Sequence, residues 1–232
     1  MAEKRITRQL LKHHFSYSWW KYLIVIVVSI LGVNVLFTTT AYRSPENKKI
    51  EVYVLNDFVT AHTMQEELWP LFHEQYPEQE ELTVTNINLN GSDAYAYMQF
   101  STYVAAQQGD VCIMPASEVH KLAASGADAA FLELSAYVES GAIDVKDIDL
   151  TRGRFRAENG KEGLYAIPAD TLYGMLDHGN DPADSFLVIF GYGGNDEHAA
   201  AVANLMIDLY HREKPDGYDE LHQKRTNSAT IF

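Results

Sequence analysis

The sequence predicts an α/β domain with a mostly parallel, helix-covered sheet, carried behind one transmembrane helix. Three observations predict it. Residues 19–37, WWKYLIVIVVSILGVNVLF, are an apolar run fit to cross a bilayer. From Ile50 onward, short apolar β-branched stretches alternate with stretches of helical periodicity, the pattern of a parallel sheet covered on both faces. Charge also divides at Ile50: eight of the 18 basic residues precede it and 30 of the 32 acidic ones follow it.

The apolar run comes first. Between Leu23 and Phe37 only Ser29, Gly32 and Asn34 interrupt the aliphatics. With its aromatic shoulder Trp19, Trp20 and Tyr22 and the tail Thr38–Thr39–Thr40, it reaches about 20 residues, or roughly 30 Å of helix. Trp and Tyr stand where headgroups would be. Lys4, Arg5, Arg8, Lys12 and Lys21 flank it on the N-terminal side, opposed by Glu3, so the N-terminus is expected in the cytoplasm and Arg43 onward outside the cell. A cleaved signal peptide ending near Thr39-Thr40-Ala41 is the rival; the long basic region and the paired Trp favour an uncleaved anchor. Residues 1–18 are then a cytoplasmic basic tail, with Ile6, Leu10, Leu11 and Phe15 as an apolar stripe on the inner leaflet. Residues 19–40 are the anchor in the lipid bilayer, and 41–49 a linker.

The outer domain is expected over 50–213. Residues 50–55 (IEVYVL) read as a strand closed by Asn56-Asp57. A helix follows, opened by the capping box Thr63-x-x-Glu66, with Met64, Leu68, Leu71 and Phe72 on one face and Pro70 as a kink or restart. Residues 82–89 (LTVTNINL) are a second strand, and Gly91-Ser92-Asp93 cap a helix ending near Gly109. The third strand is 110–114 (DVCIM), followed by a helix capped by Ser117 and stopped by Gly126. A short helix (SAYVESG) and an irregular stretch lead to a hairpin around Asn159-Gly160, the pair a type I′ turn prefers. Residues 185–190 (SFLVIF) form a late strand, a helix covers 197–211, and 214–232 is a loose polar tail.

Composition bounds function. Ten basic against 30 acidic residues put the outer domain near −20, which argues against nucleic acid and anionic headgroups as partners. The single cysteine, Cys112, cannot form an internal disulfide, lies too far from the apolar run to be a lipidation site, and reads as core. There is no G-x-S-x-G, no H-E-x-x-H, and no Cys/His pair in a nucleophile context. No enzyme activity, metal or cofactor is expected.

The ordered motifs F-x-x-x-Y-P (72–77), GDVCIMPASEVHKLAASG (109–126), FLELSAYV (131–138) and NGKEGLYAIP (159–168), then a late strand with an Ala-rich helix, resemble the extracellular solute-binding proteins of ABC importers, in particular the sugar-binding group. The resemblance spans 50–213. It implies a periplasmic-binding-protein-like lobe that takes a small solute, possibly a sugar, and serves an ABC permease or another membrane protein. The chain departs from that family twice. Only about 15 residues, 172–186, stand where the family inserts a second lobe, and an apolar span replaces a lipidated cysteine. An accessory role, with the lobe docking another membrane or envelope protein, is the alternative.

In open α/β sheets ligands sit outside the carboxyl ends of the strands. That selects Asn56 and Asp57 after the first strand, Asp93 after the second, Glu118 after the third, and Asp170 with Tyr173 after the IPAD segment. Asp and Asn suit sugar hydroxyls, while Tyr95 or Tyr173 can stack on a sugar face. Ser92, Asp93 and Ser117 equally suit plain helix caps. Asn56, Asp57 and Asp170 have no such local task and are the stronger candidates.

Overall fold

A computed structural model describes residues 8–40, 42, 44–55, 60–89, 94–220 and 222, with side chains from Trp19 onward. The chain divides into two units, Met1–Arg43 and Ser44–Phe232. The first is one helix, α1 (Arg8–Thr40), continuous where the sequence suggested a separate tail and span. Its stretch Trp19–Thr40 is the one described helix long and apolar enough to cross a membrane.

The second unit runs β1 (Lys49–Val54), α2 (Ala61–Gln75), β2 (Glu81–Asn86), α3 (Ala94–Ala105), β3 (Val111–Pro115), α4 (Ala116–Ala123), α5 (Ser135–Glu139), β4 (Arg154–Arg156), β5 (Glu162–Leu164), β6 (Ile167–Pro168), β7 (Ser185–Ile189) and α6 (Asp196–Tyr210). Five strands form one sheet in the order β2-β1-β3-β7-β6; β4 and β5 form a separate hairpin. β1 pairs in parallel with both β2 and β3, while β7 is antiparallel to β3 and to β6. Four strands therefore point one way and β7 alone is reversed, so the fold is mixed α/β with a mostly parallel sheet.

Period-two alternation sorts the core into two layers. Ile50, Val52 and Val54 of β1, Val111 and Ile113 of β3, and Leu187 and Ile189 of β7 face one side. There they meet Met64, Leu68 and Phe72 of α2 and the Ala203–Met206 face of α6. Tyr53, Cys112, Met114, Phe186 and Val188 face the other side, against Phe100 of α3 and Val119 of α4. Cys112 is fully buried, as its apolar neighbours imply.

Local differences from the sequence reading have local causes. α2 begins at Ala61 with Thr60 at its cap, so the expected capping box does not form; Thr63 lies inside the helix and its hydroxyl donates back to Thr60 O. α2 also continues through Pro70, because Leu68 and Phe72 are buried on either side and hold both halves to the sheet. α4 starts one residue before Ser117, capped by Pro115. In the hairpin, Gly160 N–H donates to Ala157 O and Ala157 N–H to Lys161 O. Gly160 has φ +81, while Asn159 stays out of the left-handed region. The turn is thus a three-residue loop ending in a left-handed glycine rather than the expected type I′ pair.

Candidate functional site

Because β7 runs backward, its amino end lies beside the carboxyl ends of β3 and β6, with Ser185 opposite Pro115 and Phe186 opposite both Met114 and Pro168. This carboxyl edge gathers one polar network. Asp170, just past β6, accepts Arg152 Nη1 on Oδ2 at 2.5 Å and the Asp184 N–H on Oδ1 at 3.0 Å. Arg152 Nη2 reaches Asp184 Oδ1 at 2.7 Å, and the guanidinium lies 5.4 Å from the Phe186 ring centroid. Asp184 O accepts the N–H of Ala116, the first residue of α4. Asp184 itself holds φ +49, a left-handed conformation maintained by these contacts. One arginine thus ties together the ends of β6, β7 and, through the backbone, β3.

The connection between β6 and β7 closes over the same edge. A 3₁₀ turn at Tyr173–His178 is stopped by Gly179 at φ +88. Tyr173 packs edge-on against Tyr218, with centroids 5.0 Å apart. Tyr218 donates to Asp181 Oδ1, and His222 Nδ1 lies 2.8 Å from Asp181 Oδ2. Burial alone would raise the Asp181 carboxyl, but the His222 and Tyr218 hydrogen bonds outweigh it and hold the group below its ordinary value. Burial, then the Asp181 charge, drives the Tyr218 hydroxyl the other way, well above its ordinary value. The tail expected to be loose from residue 214 is therefore packed at Tyr218, which is buried.

Deeper in the edge, His178 is buried between α2 and α6. Its Nδ1 lies 2.7 Å from Thr63 Oγ1 and its Nε2 3.1 Å from Glu67 Oε2, and the Tyr210 hydroxyl donates to the same carboxylate oxygen at 3.4 Å. The Thr60 N–H donates to His178 O, which fixes the start of α2 to this segment. Asn180 is fully buried, and its Oδ1 has no hydrogen-bond partner among the described residues.

The structure brings some of the sequence-selected residues together and separates others. Asp170 and Tyr173 share the edge segment. Glu118 does not point to open solvent: it is buried, and its carboxylate holds Lys121 Nζ at 2.6 Å. That ammonium lies 5.6 Å from the Tyr97 ring, so Glu118 joins α4 to α3. Tyr95 is exposed on the first turn of α3. Asn56, Asp57 and Asp93 lie outside the described residues. Sequence reading missed Arg152, Asp184, Asp181 and Tyr218. Asp184 was findable only with the direction of β7 in hand, since an antiparallel strand brings its start, not its end, to the carboxyl edge. Arg152 lies in an irregular stretch and Tyr218 in a polar tail, where no periodicity marks them.

No family model and no curated protein matches this chain. Among solved structures it is similar to an extracellular solute-binding protein, family 1, from Alicyclobacillus acidocaldarius, at TM-score 0.37 and 19% identity over 55% of this chain and 29% of that one. It is likewise similar to a de novo designed cysteine esterase, at TM-score 0.39 and 15% identity over 54% of this chain and 28% of that one. The chain thus spans less than a third of each of these two proteins.

Proposed function

We propose that this chain is a membrane-anchored, non-enzymatic domain of solute-binding type that faces outward and takes a polar small molecule, with carbohydrate the preferred class. It would use the carboxyl edge of the sheet and support uptake or sensing, with an ABC permease or another membrane protein as partner. The observation that carries this reading is strand direction. β1, β2, β3 and β6 deliver their carboxyl ends to one edge, where open α/β sheets hold ligands, and that edge presents Asp170, Asp184, Arg152 and Tyr173. Carboxylates and a guanidinium grip hydroxyls, and tyrosine rings suit sugar faces. The 22 residues of Trp19–Thr40 supply the anchor, and the basic flank before them supports a cytoplasmic N-terminus.

Thermal-shift measurements on the full chain in neutral detergent, against sugars, oligosaccharides, amino acids and polyamines, test ligand capture. Stabilisation by sugars that is lost in Asp170→Asn is expected; no stabilisation by any class removes it. Protease added outside intact cells should cleave the Ser44–Phe232 unit, and protection there would overturn the outward orientation.

A second reading rests on the Arg152 bridge, which already occupies Asp170 and Asp184. In it the lobe has lost its cleft and docks a neighbouring membrane or envelope protein. Affinity capture of the full chain from its own membranes discriminates the two, and a chain recovered alone and monomeric counts against docking.

A further inference from the structure

The hairpin β4–β5 carries an open strand edge framed by the only cations of the outer unit that lack an acidic partner among the described residues. Lys48, Lys49, Lys121, Lys146, Arg152, Arg212 and Lys214 each sit within salt-bridge distance of a carboxylate. Arg154, Arg156 and Lys161 do not, although 30 acidic residues follow Ile50 and Glu162 stands directly across the ladder from Arg156. All three side chains are exposed. In a unit this acidic, unpaired guanidinium groups are conspicuous.

The backbone beside them also has no second strand partner among the described residues. Ala157 N–H donates to Lys161 O and Tyr165 N–H to Gly153 O, so residues 153, 155 and 157 are the ones bonded across to β5. Alternation in an antiparallel ladder then turns the N–H and C=O of Arg154 and Arg156 outward, away from β5. β4 pairs with no other strand. The next outward donor, Glu158 N–H, is taken by Asp128 Oδ1 at 2.7 Å, which ends the open stretch. Arg154 and Arg156 are two positions apart on a strand, so their side chains share one face about 7 Å apart. Acidic residues at alternate positions of an extended peptide have the same spacing. Phe155, on the opposite face, packs against Phe186 and His120 and anchors the strand to the core.

We infer that the outer edge of β4 is a docking site for an extended, carboxylate-bearing peptide segment of another protein, added as a short third strand. Main-chain bonds to Arg154 and Arg156 align it, and their guanidinium groups clamp its alternate carboxylates. An anionic lipid surface fits less well, because the unit that carries the hairpin stands near −20 and is repelled by it. Arg154 follows the carboxyl-edge residue Arg152 by two positions, but the groups used here are those of Arg154 and Arg156, and the peptide test is read separately from solute capture.

The test uses the full chain in an uncharged detergent and a labelled decapeptide alternating Thr/Val with Glu, followed by fluorescence anisotropy. Saturable binding is expected, weakened at least tenfold when Gln replaces Glu in the peptide and by a similar factor in Arg154→Gln/Arg156→Gln. Arg154→Pro, which deletes an outward N–H at a residue whose φ of −89 is near that of proline, should weaken binding further than Arg154→Gln. Circular dichroism verifies that each variant folds. Equal binding of the Glu and Gln peptides overturns the inference, as does indifference to the Arg pair. So does an Arg-dependent affinity for phosphatidylglycerol vesicles without peptide binding. If the Arg154→Gln/Arg156→Gln chain merely aggregates and the wild type binds no peptide, the arginines only guard the edge and the inference fails.

Discussion

Asp110 offers the sharpest test of the electrostatics, because its charge is buried away from the carboxyl edge of the sheet. It precedes β3 at the amino end of the sheet and is 7% exposed. Its Oδ2 accepts the Glu51 N–H at 2.8 Å, and its Oδ1 packs so closely on Gly193 that a Cβ there would come within 2.5 Å. Burial pushes the carboxyl up from 3.8 to about 6, with the Glu51 charge adding to it and the Glu51 N–H and Lys49 opposing. A raised folded-state value means the folded chain binds the proton more tightly than the unfolded one. The contribution is therefore favourable below 3.8 and is lost as pH rises through about 6, after which the buried charge is a constant penalty. At about 1.4 kcal/mol per unit, the step from 3.8 to about 6 is worth at most ~3 kcal/mol. Asp110→Asn stays neutral at every pH and keeps an acceptor for Glu51 N–H. Relative to wild type it should gain about 1–3 kcal/mol between pH ~4 and pH ~8, less whatever its amide loses against Gly193. Urea unfolding followed at Trp69, the single Trp outside the apolar helix, measures the difference at both pH values. A gap between variant and wild type that does not change with pH would refute the buried-charge account.

The remaining predictions are smaller in scope. Gly153→Ala puts a Cβ 1.8 Å from Ala166 O, a clash with backbone, and should cost about 3 kcal/mol or more, read as a lowered urea midpoint. Leu172→Ala and Met175→Ala each empty a fully buried position and should each cost about 2–5 kcal/mol in the same assay. Tyr218→Phe removes a donor from Asp181, whose depressed carboxyl stabilises the fold above its ordinary value and loses that contribution as pH falls through its lowered folded value. The variant should flatten the acid limb of the stability–pH curve, seen in melts between pH ~3 and pH ~6. Arg152→Met keeps the stem over Phe186 but releases one partly and one largely exposed carboxylate, so it should cost about 1 kcal/mol or less while limited proteolysis near residue 184 speeds up.

The parts of the fold legible in sequence are those that periodicity encodes. Ile50 to Val54, Val111 to Met114 and Phe186 to Ile189 announce their strands because both faces of the sheet are covered and every position but Glu51 is apolar. The hairpin was legible from Asn159-Gly160, but its loop type was not, since the same pair also suits a type I turn with glycine in the left-handed position. Caps were the least legible. Thr63 and Ser117 are good cap residues by type, yet the packing of Met64 and Val119 sets each helix start upstream of them. At the site, Asp170 was legible because it follows a strand, whereas its partner Arg152 reaches it over 18 residues of sequence through a side chain that no pattern marks.

Antiparallel neighbours such as β6 and β7 need a loop of only about two to five residues. This chain spends the whole stretch from 169 to 184, and its two halves are held differently. In the first, Leu172 and Met175 are core residues, His178 O holds the start of α2, and Thr171 O accepts the N–H of Arg212 beyond α6. In the second, Asp184 is held to the edge by Arg152 and by backbone bonds at the surface. Moving the first half, or the buried Asn180 and Asp181 that follow it, breaks core packing; moving Asp184 alone breaks exposed ion pairs, each worth at most about 1 kcal/mol. The proposed ligand would therefore reach Asp170 from the Asp184 side, displacing Arg152 instead of lifting the 3₁₀ turn. If the proposed ligand displaces Arg152, Arg152→Met should bind sugar at least as tightly as wild type, because the variant no longer occupies the carboxylates the ligand needs. If Arg152 instead grips the ligand in the bound state, the same substitution abolishes binding with little change in stability, and the two outcomes separate an arginine that guards the edge from one that serves it.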